Sequence, residues 1–461
     1  MTRNVLTFIN HACFEIRTDD ALLLIDPWVE GTAFNHGWSL LDQSTSNAAL
    51  IARLNEAGLP VYIWYSHEHP DHFSISFLKK FREDFRGKAC FLFQETLDKR
   101  VLGFLQRNGQ QVRECRAGVP EMLAPGLRIT VFPYSDGDSF SLIEAGGKSV
   151  LNLNDCVINT REQCSRVKAA LDGVAPRIDV MFTQFGYANW VGNPDDPARH
   201  RAAASEKIER IALQIGAFAP ALVVPFASFV YFSAAENAYL NAEQNAPHVV
   251  SGAPGLAMHA HLMRFLKPGD TVDLAADTPA SLLPMHERAL AHWRGLIQAG
   301  FRLLPEQPPA TLAEVKAAFA NYRDAMNTNL KGLPRLLEWT GRIAPLTIHI
   351  ADLHKTLRFS YRQGVTELAD DAACDVTLTS SNAIFVFRNE YGFDTTQVNG
   401  RFRVAHAGAA RVFSRFFLPQ RMGKNGYGRR HPLLTLRYLV GNALERAGRR
   451  MQAVWRQARA R

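Results

Sequence analysis

Nine consecutive residues, Tyr65-Ser66-His67-Glu68-His69-Pro70-Asp71-His72-Phe73, carry three imidazoles and two carboxylates. Imidazole nitrogens combined with carboxylate oxygens suit zinc or non-haem iron. Histidines this crowded would repel one another when protonated and would need partners when buried, so the spacing argues for metal ligands over a polar loop. The apolar run Val61-Tyr62-Ile63-Trp64 directly before them reads as a buried strand. A strand entering a tight turn can aim alternate side chains at one point. The chemistry expected is metal chemistry at a strand end.

The segments around this stretch alternate between strand and helix patterns, as in an α/β protein. Leu6–Ile16 and Ala21–Ile25 read as a hairpin joined at Thr18-Asp19-Asp20, its second strand closing on Asp26-Pro27-Trp28. Residues 75–85 have helical spacing, followed by strands at 90–93, 111–114 and 127–132 and a helix over 97–108. Val150 to Asp155 reads as a strand, so the side chain of Cys156 is expected to point the other way and to be structural. Asp179 to Trp190 runs from a strand into a loop rich in glycine and aromatic residues. Later, 284–299 and 311–327 read as helices, the second opened by a Thr311/Glu314 capping box. Residues 343–402 return to a strand pattern.

The spacing His67-x-His69-x-Asp71-His72 resembles the signature of the metallo-β-lactamase fold, an αββα sandwich with metals at one edge. The resemblance implies that His67 and His69 serve one metal, that Asp71 and His72 serve a second, and that Asp155 bridges them, with Glu68 and Pro70 as spacers. It also gives Asp26 a supporting place beneath the metal loop, the alternative being a turn-forming Asp before proline. Asn10-His11-Ala12-Cys13, Ile25-Asp26-Pro27-Trp28 and the loop Gly31–Leu41, in that order before the histidine motif, are similar to the catalytic domain of the CMP-N-acetylneuraminate hydroxylase family. On that likeness His11 and His36 face the cleft, unless they are ordinary satisfied histidines, and Asp71 and His11 are the candidates for a direct catalytic role. The fold's usual third histidine is missing from 132–140, where Asp136 or Asp138 either substitutes or only forms an Asp-Gly turn. Its usual last histidine is missing at Ala227-Ser228. Gln184, Tyr187, Asn189, Ser228 and Asn237 are the candidate substrate-facing or supporting groups, Asn237 lying in a polar segment that otherwise reads as solvated turns.

Composition limits the alternatives. A chain of 461 residues with 47% hydrophobic content can bury a large core. The resemblance extends over about residues 1–275, followed by a helical segment 276–340, an α+β segment 341–425 that is weakly similar to sterol-carrier domains, and a tail 426–461. Six cysteines without a Cys-x-x-Cys pair point neither to disulfides nor to a thiolate zinc site. The net charge of +8 equals that of the stretch from Arg429 to Arg461, nine arginines against the acid Glu445, so no nucleic-acid partner is expected for the body of the protein. Three- and four-residue apolar steps make that tail a basic amphipathic helix, suited either to anionic lipid or to its own domain. With no signal-peptide pattern and no long apolar run, the expected location is the cytoplasm, with a peripheral membrane contact through the tail as an addition. Function is expected to be a non-haem iron oxygenase acting on a nucleotide sugar or related carbohydrate. The chain has no Cys-x-His and Cys-x-x-His pair of Rieske type, so that reading needs a separate electron donor. The alternatives are a metal-dependent hydrolase of an ester, lactone or phosphodiester, and a non-catalytic binding protein with a relic site.

Overall fold

The computed structural model describes residues 4–97, 99–175, 177–424 and 433, without the side chains of Asp136 and Lys424. The expected tail helix lies outside the described residues except for Leu433. Two compact units account for the chain, Met1–Glu306 with Val398–Gly400, and Gln307–Gln397 with the residues from Arg401 onward. The boundary expected near 275 falls inside the first unit because helix Leu283–Gln298 buries Ala289 and Trp293 in the same core as the sheets. No helix of the described residues is long and apolar enough to cross a membrane.

The first unit's strands are β1 (Val5–Asn10), β2 (Cys13–Arg17), β3 (Leu22–Ile25), β4 (Thr32–Ala33), β5 (Trp38–Leu40), β6 (Val61–Trp64), β7 (Ala89–Gln94), β8 (Val112–Cys115), β9 (Pro120–Ala124), β10 (Leu127–Pro133), β11 (Ser139–Ala145), β12 (Lys148–Asn152), β13 (Val180–Gln184), β14 (Leu222–Phe226), β15 (Val230–Phe232) and β16 (Thr271–Asp273). Its main helices are α1 (Asn47–Ala57), α2 (Ile75–Asp84), α3 (Arg100–Arg107), α4 (Arg161–Asp172) and α5 (Pro197–Phe218). One sheet has the order β16-β1-β2-β3-β6-β7-β8 and the other β14-β13-β12-β11-β10-β9, with a small sheet β15-β5-β4 beside them. β3, β6, β7 and β8 run parallel, as do β12, β13 and β14.

Alternation along a strand explains the layering. In β3, Leu23 and Ile25 join one core with Ile129, Leu142 and Met181 of the opposite sheet, whereas Leu22 and Leu24 join Leu50, Ile51, Phe77 and Phe81 of α1 and α2. Ile211, Ile215 and Phe218 of α5 close the other side. A sheet buried on both faces between helices and a second sheet is the αββα sandwich expected from the sequence.

Two details differ from the sequence reading, and both shape the site. The expected strand Leu6–Ile16 is broken at His11, whose φ of 42° makes a tight turn between antiparallel β1 and β2. The expected strand through Asp155 stops at Asn152, and Asn154 has a φ of 49°, so Asp155 sits in a turn. Cys156 is buried as expected, but because the turn delivers it to the core rather than because a strand alternates.

The second unit holds β17 (Leu346–Ile350), β18 (Lys355–Ser360), β19 (Gly364–Glu367), β20 (Val376–Leu378) and β21 (Arg403–Val404), in the order β19-β18-β17-β20-β21. Within the α+β segment, the stretch 343–402 with the strand pattern also contains helix Ser380–Arg388, capped by Thr379. The Thr311/Glu314 capping box is present at the start of Leu312–Asn329. Phe319 on that helix packs its ring against Phe359 and Phe387, and the Tyr322 and Tyr361 hydroxyls meet at 2.9 Å.

Candidate metal centre

Ligand sites in open α/β sheets lie beyond the carboxyl ends of parallel strands. Here β3 is followed by Asp26, β6 by the segment Ser66–His72, β12 by Asn154 and Asp155, and β14 by Ala227, while β13 ends at Gln184. His11, Asp26, Asn154 and Ala227 all have φ between 42° and 52°, a conformation costly for any side chain but glycine. Strain of this kind persists only where the surroundings impose it, at about 1–3 kcal/mol each. The backbone here turns sharply to bring side chains together.

Two three-donor groups result, His67/His69/Asp155 and His11/Asp71/His72, with the donor atoms of each within 4.8 Å of one another. Donors about 2.0–2.1 Å from one ion and 90–110° apart lie about 2.9–3.4 Å from each other. His67 Nε2 and His69 Nδ1 are 2.9 Å apart. Asp71 Oδ2 lies 3.3 Å from His11 Nε2 and 3.4 Å from His72 Nε2. Asp155 Oδ2 stands between the groups, 4.0 Å from His67 Nε2 and 3.5 Å from His72 Nε2.

Beneath the groups, Asp26 fixes which nitrogens face inward. This fully buried carboxylate accepts from Ser66 N at 2.8 Å, Ser66 Oγ at 2.7 Å and Asn154 Nδ2 at 2.9 Å, and lies 3.0 Å from His72 Nδ1. A carboxylate only accepts, so His72 Nδ1 carries hydrogen and Nε2 points at Asp71 and Asp155. The one Ser66 hydroxyl hydrogen goes to Asp26, so Ser66 Oγ accepts from His67 Nδ1 at 2.9 Å, leaving the Nε2 lone pair directed at His69. The Ser66 carbonyl is held in turn by Ser139 Oγ at 2.6 Å and Gln94 Nε2 at 3.4 Å.

The site calls for positive charge. Burial alone would raise the Asp71 carboxyl, but the His72 and His11 imidazoles hold it well below the usual range. Burial alone would lower His72, but Asp71, Asp155 and Asp26 push it well above the usual histidine range. Buried His72 Nε2, Asp71 Oδ1 and His11 Nδ1 have no hydrogen-bond partner among the described residues. An unsatisfied buried polar atom costs about 1–3 kcal/mol, and three in one cluster of imidazole and carboxylate are explained by a cation. The donor set therefore fits iron or zinc, through His67, His69 and Asp155 on one side and His11, Asp71 and His72 on the other.

The remaining expected residues divide. Gln184 reaches the centre, its Nε2 lying 3.4 Å from Asp155 Oδ1. Asp138 is in neither donor group; its charge is felt at the buried Cys156 thiol, which burial first and then Asp138 push upward. The side chain of Asp136 lies outside the description. His36 is exposed at the tip of the β4–β5 turn, its Nδ1 3.0 Å from Thr32 Oγ1, while nearby Phe34 meets the His69 ring edge-on with the ring centroids 5.7 Å apart. Tyr187 is buried and donates its hydroxyl to Leu240 O, so that hydroxyl is committed inside the protein. Asn189 is exposed. Ser228 Oγ accepts from Phe185 N and Gly186 N at 3.1 and 2.8 Å, clamping a loop. Asn237 is buried, accepting from Ala234 N at 3.0 Å and donating to Gly37 O at 2.9 Å. It braces loops where a solvated or substrate-facing group was expected, because its amide matches backbone groups left unpaired by strand ends.

Sequence reasoning overlooked Asn154 and Lys207. Asn154 adjoins an expected ligand and could have been found there. Lys207 occupies an inward position in the series Ala204, Lys207, Ile211, Gln214, Phe218 of α5, where a lysine is out of pattern. Its amine is pushed down to about 7, by burial first and then by Arg210.

No family model matches the chain. It is 31% identical over 189 residues to the cytidine monophosphate-N-acetylneuraminic acid hydroxylase of Danio rerio, covering 39% of this chain and 29% of that protein. It is 29% identical over 157 residues to the Homo sapiens protein named as an inactive hydroxylase of the same kind, covering 33% and 30%. The chain thus matches less than a third of the length of these relatives. Among solved structures it is similar to a CmlA β-hydroxylase variant at 17% identity and a TM-score of 0.40, covering 59% of this chain and 54% of that one. The chain folds as an αββα sandwich and resembles CMP-N-acetylneuraminic acid hydroxylase over part of its length.

Proposed function

We propose that the protein is a metal-dependent oxygenase, a hydroxylase that takes an iron centre of two ions on the paired donor groups and acts on a nucleotide sugar or a related carbohydrate. The sequence similarity to the hydroxylases carries this choice, since the donor groups by themselves serve oxygenase and hydrolase alike. When bound, iron would supply redox chemistry toward oxygen, and zinc in its place an activated water.

The chain's own residues have defined tasks in this reading. Asp26 keeps the His72 and, through Ser66, the His67 lone pairs turned inward. Gln184 holds one oxygen of Asp155, leaving the other for the ions. Phe34 beside His69 and Trp28, whose ring is 5.4 Å from that of His11, keep water from two imidazoles. Three protein donors per group leave room for small ligands. Substrate enters at the partly exposed His69 and Asp155. Hydroxylation takes one oxygen atom into a C–H bond and the other into water, consuming two protons and two electrons, which a separate donor protein delivers.

The test is oxygen uptake by iron-loaded protein supplied with a reductase and ferredoxin, with CMP-linked nonulosonic acids as first substrates. Substrate-dependent uptake with a hydroxylated product is expected. Zinc-loaded protein that cleaves lactones or phosphodiesters, while iron-loaded protein never consumes oxygen, would make the protein a hydrolase.

A further inference from the structure

A lysine buried within α5 needs a reason, because burying an ammonium costs free energy unless acceptors surround it. Lys207 is 9% exposed, and its Nζ donates to Gln184 Oε1 at 3.0 Å. Arg210 and Glu206 on the same helix pair at 3.1 Å. Two helical turns along α5, Gln214 Oε1 accepts from Thr183 Oγ1 at 2.5 Å. One face of α5 thus grips the last two residues of β13, directly behind the metal centre.

The donor count gives this contact a direction. Because Lys207 Nζ donates to it, the carbonyl oxygen of Gln184 faces α5 and its NH2 faces Asp155, whose Oδ1 is 3.4 Å away. With Lys207 replaced by an apolar side chain, the Gln184 amide loses the partner that sets its orientation. Its oxygen could then turn toward Asp155 and repel it. With Oδ1 occupied by an N–H, the carboxylate is fixed about its own axis and Oδ2 stays between His67 and His72.

We infer that Lys207 is a positioning residue that acts through Gln184 to aim Asp155 Oδ2 at both donor groups. This rests on Asp155 being a metal ligand, as proposed above.

Co²⁺ tests it on the full chain, with affinity read by chelator competition and ligand geometry by the visible absorption of the bound ion. Supporting contacts to ligands are worth about 10–100-fold in metal affinity. Lys207→Met and Gln184→Leu should each weaken Co²⁺ binding in that range and alter the spectrum. The double variant should lose no more than Gln184→Leu alone, because the lysine works only through the glutamine. Lys207→Met should melt no lower than wild type when metal-free, since it removes a buried amine; should it fail to fold, Gln184→Leu alone decides whether the amide matters. Wild-type affinity and spectrum in either variant would overturn the inference, as would losses that add in the double variant. Wild-type protein that binds Co²⁺ no better than Asp155→Ala would instead remove the metal reading beneath it.

Discussion

The two donor groups share one loop and differ in nearly everything else. His11, Asp71 and His72 are all buried, each no more than 1% exposed, whereas in the other group only His67 is buried and His69 and Asp155 are partly exposed. The sealed group combines neighbours in the motif with an imidazole from a distant hairpin, and its His72 is gripped by a carboxylate that meets no solvent. In the open group His69 meets the His67 imidazole and the edge of the Phe34 ring. In the proposed reading the two have separate work: the sealed group would anchor an ion, and the open one would exchange ligands and meet substrate. Low-dielectric surroundings strengthen every interaction in the first and weaken none of the access in the second.

Loss of Asp155, which stands between the two groups, should have the largest effect. Asp155→Ala is expected to deplete metal from both groups, bringing metal content after gel filtration from two ions per chain to well below one. Single-group variants should break the pair unequally. His67→Ala should remove the fast-exchanging ion and leave one that chelator strips slowly, while His11→Ala should do the reverse. Equal exchange rates for the two ions in wild-type protein would erase the contrast between the groups.

How much of this was legible follows from where each donor sits. His67, His69, Asp71 and His72 are adjacent in sequence, and local spacing alone made them candidates. Asp26 and Asp155 close apolar segments, a weaker signal that still marked them. His11 was noticed but not as a donor to a metal, because the run from Leu6 to Ile16 carries the alternation of one strand and nothing local shows that it folds back. Its place becomes clear only in three dimensions: Ala227 N donates to His11 O at 2.9 Å, so His11 stands beside the strand end that lacks a histidine. Lys207 stayed hidden because its meaning depends on Gln184, a long-range contact. For Tyr187, Ser228 and Asn237 the sequence left substrate-facing and supporting places open, since polar residues in loops serve backbone groups as readily as ligands, and the structure commits their side chains to backbone groups.

Smaller effects sharpen the comparison. Asp26→Asn should lower affinity at the sealed group by about 10–100-fold, read by chelator competition, because an amide can donate to His72 Nδ1 and release its tautomer. The effect on the open group, which Asp26 reaches through Ser66, should be smaller. pH separates the groups further. His72 is raised by Asp71, Asp155 and Asp26, so in metal-free protein it keeps its proton to higher pH than an ordinary histidine, above about 6.5. Metal must displace that proton, so affinity at the sealed group should rise with pH until His72 is neutral and fall as pH drops. Proton release measured during metal titration at several pH values checks the sign; constant release across that range would contradict it.

The most direct measurement is an anaerobic Fe²⁺ titration of the metal-free full chain, counted to saturation beside the His11→Ala, His67→Ala double variant. The account predicts two ions bound by the wild-type protein and none retained by the double variant. Wild-type protein that takes up no iron, or a double variant that binds as much as wild type, would contradict it.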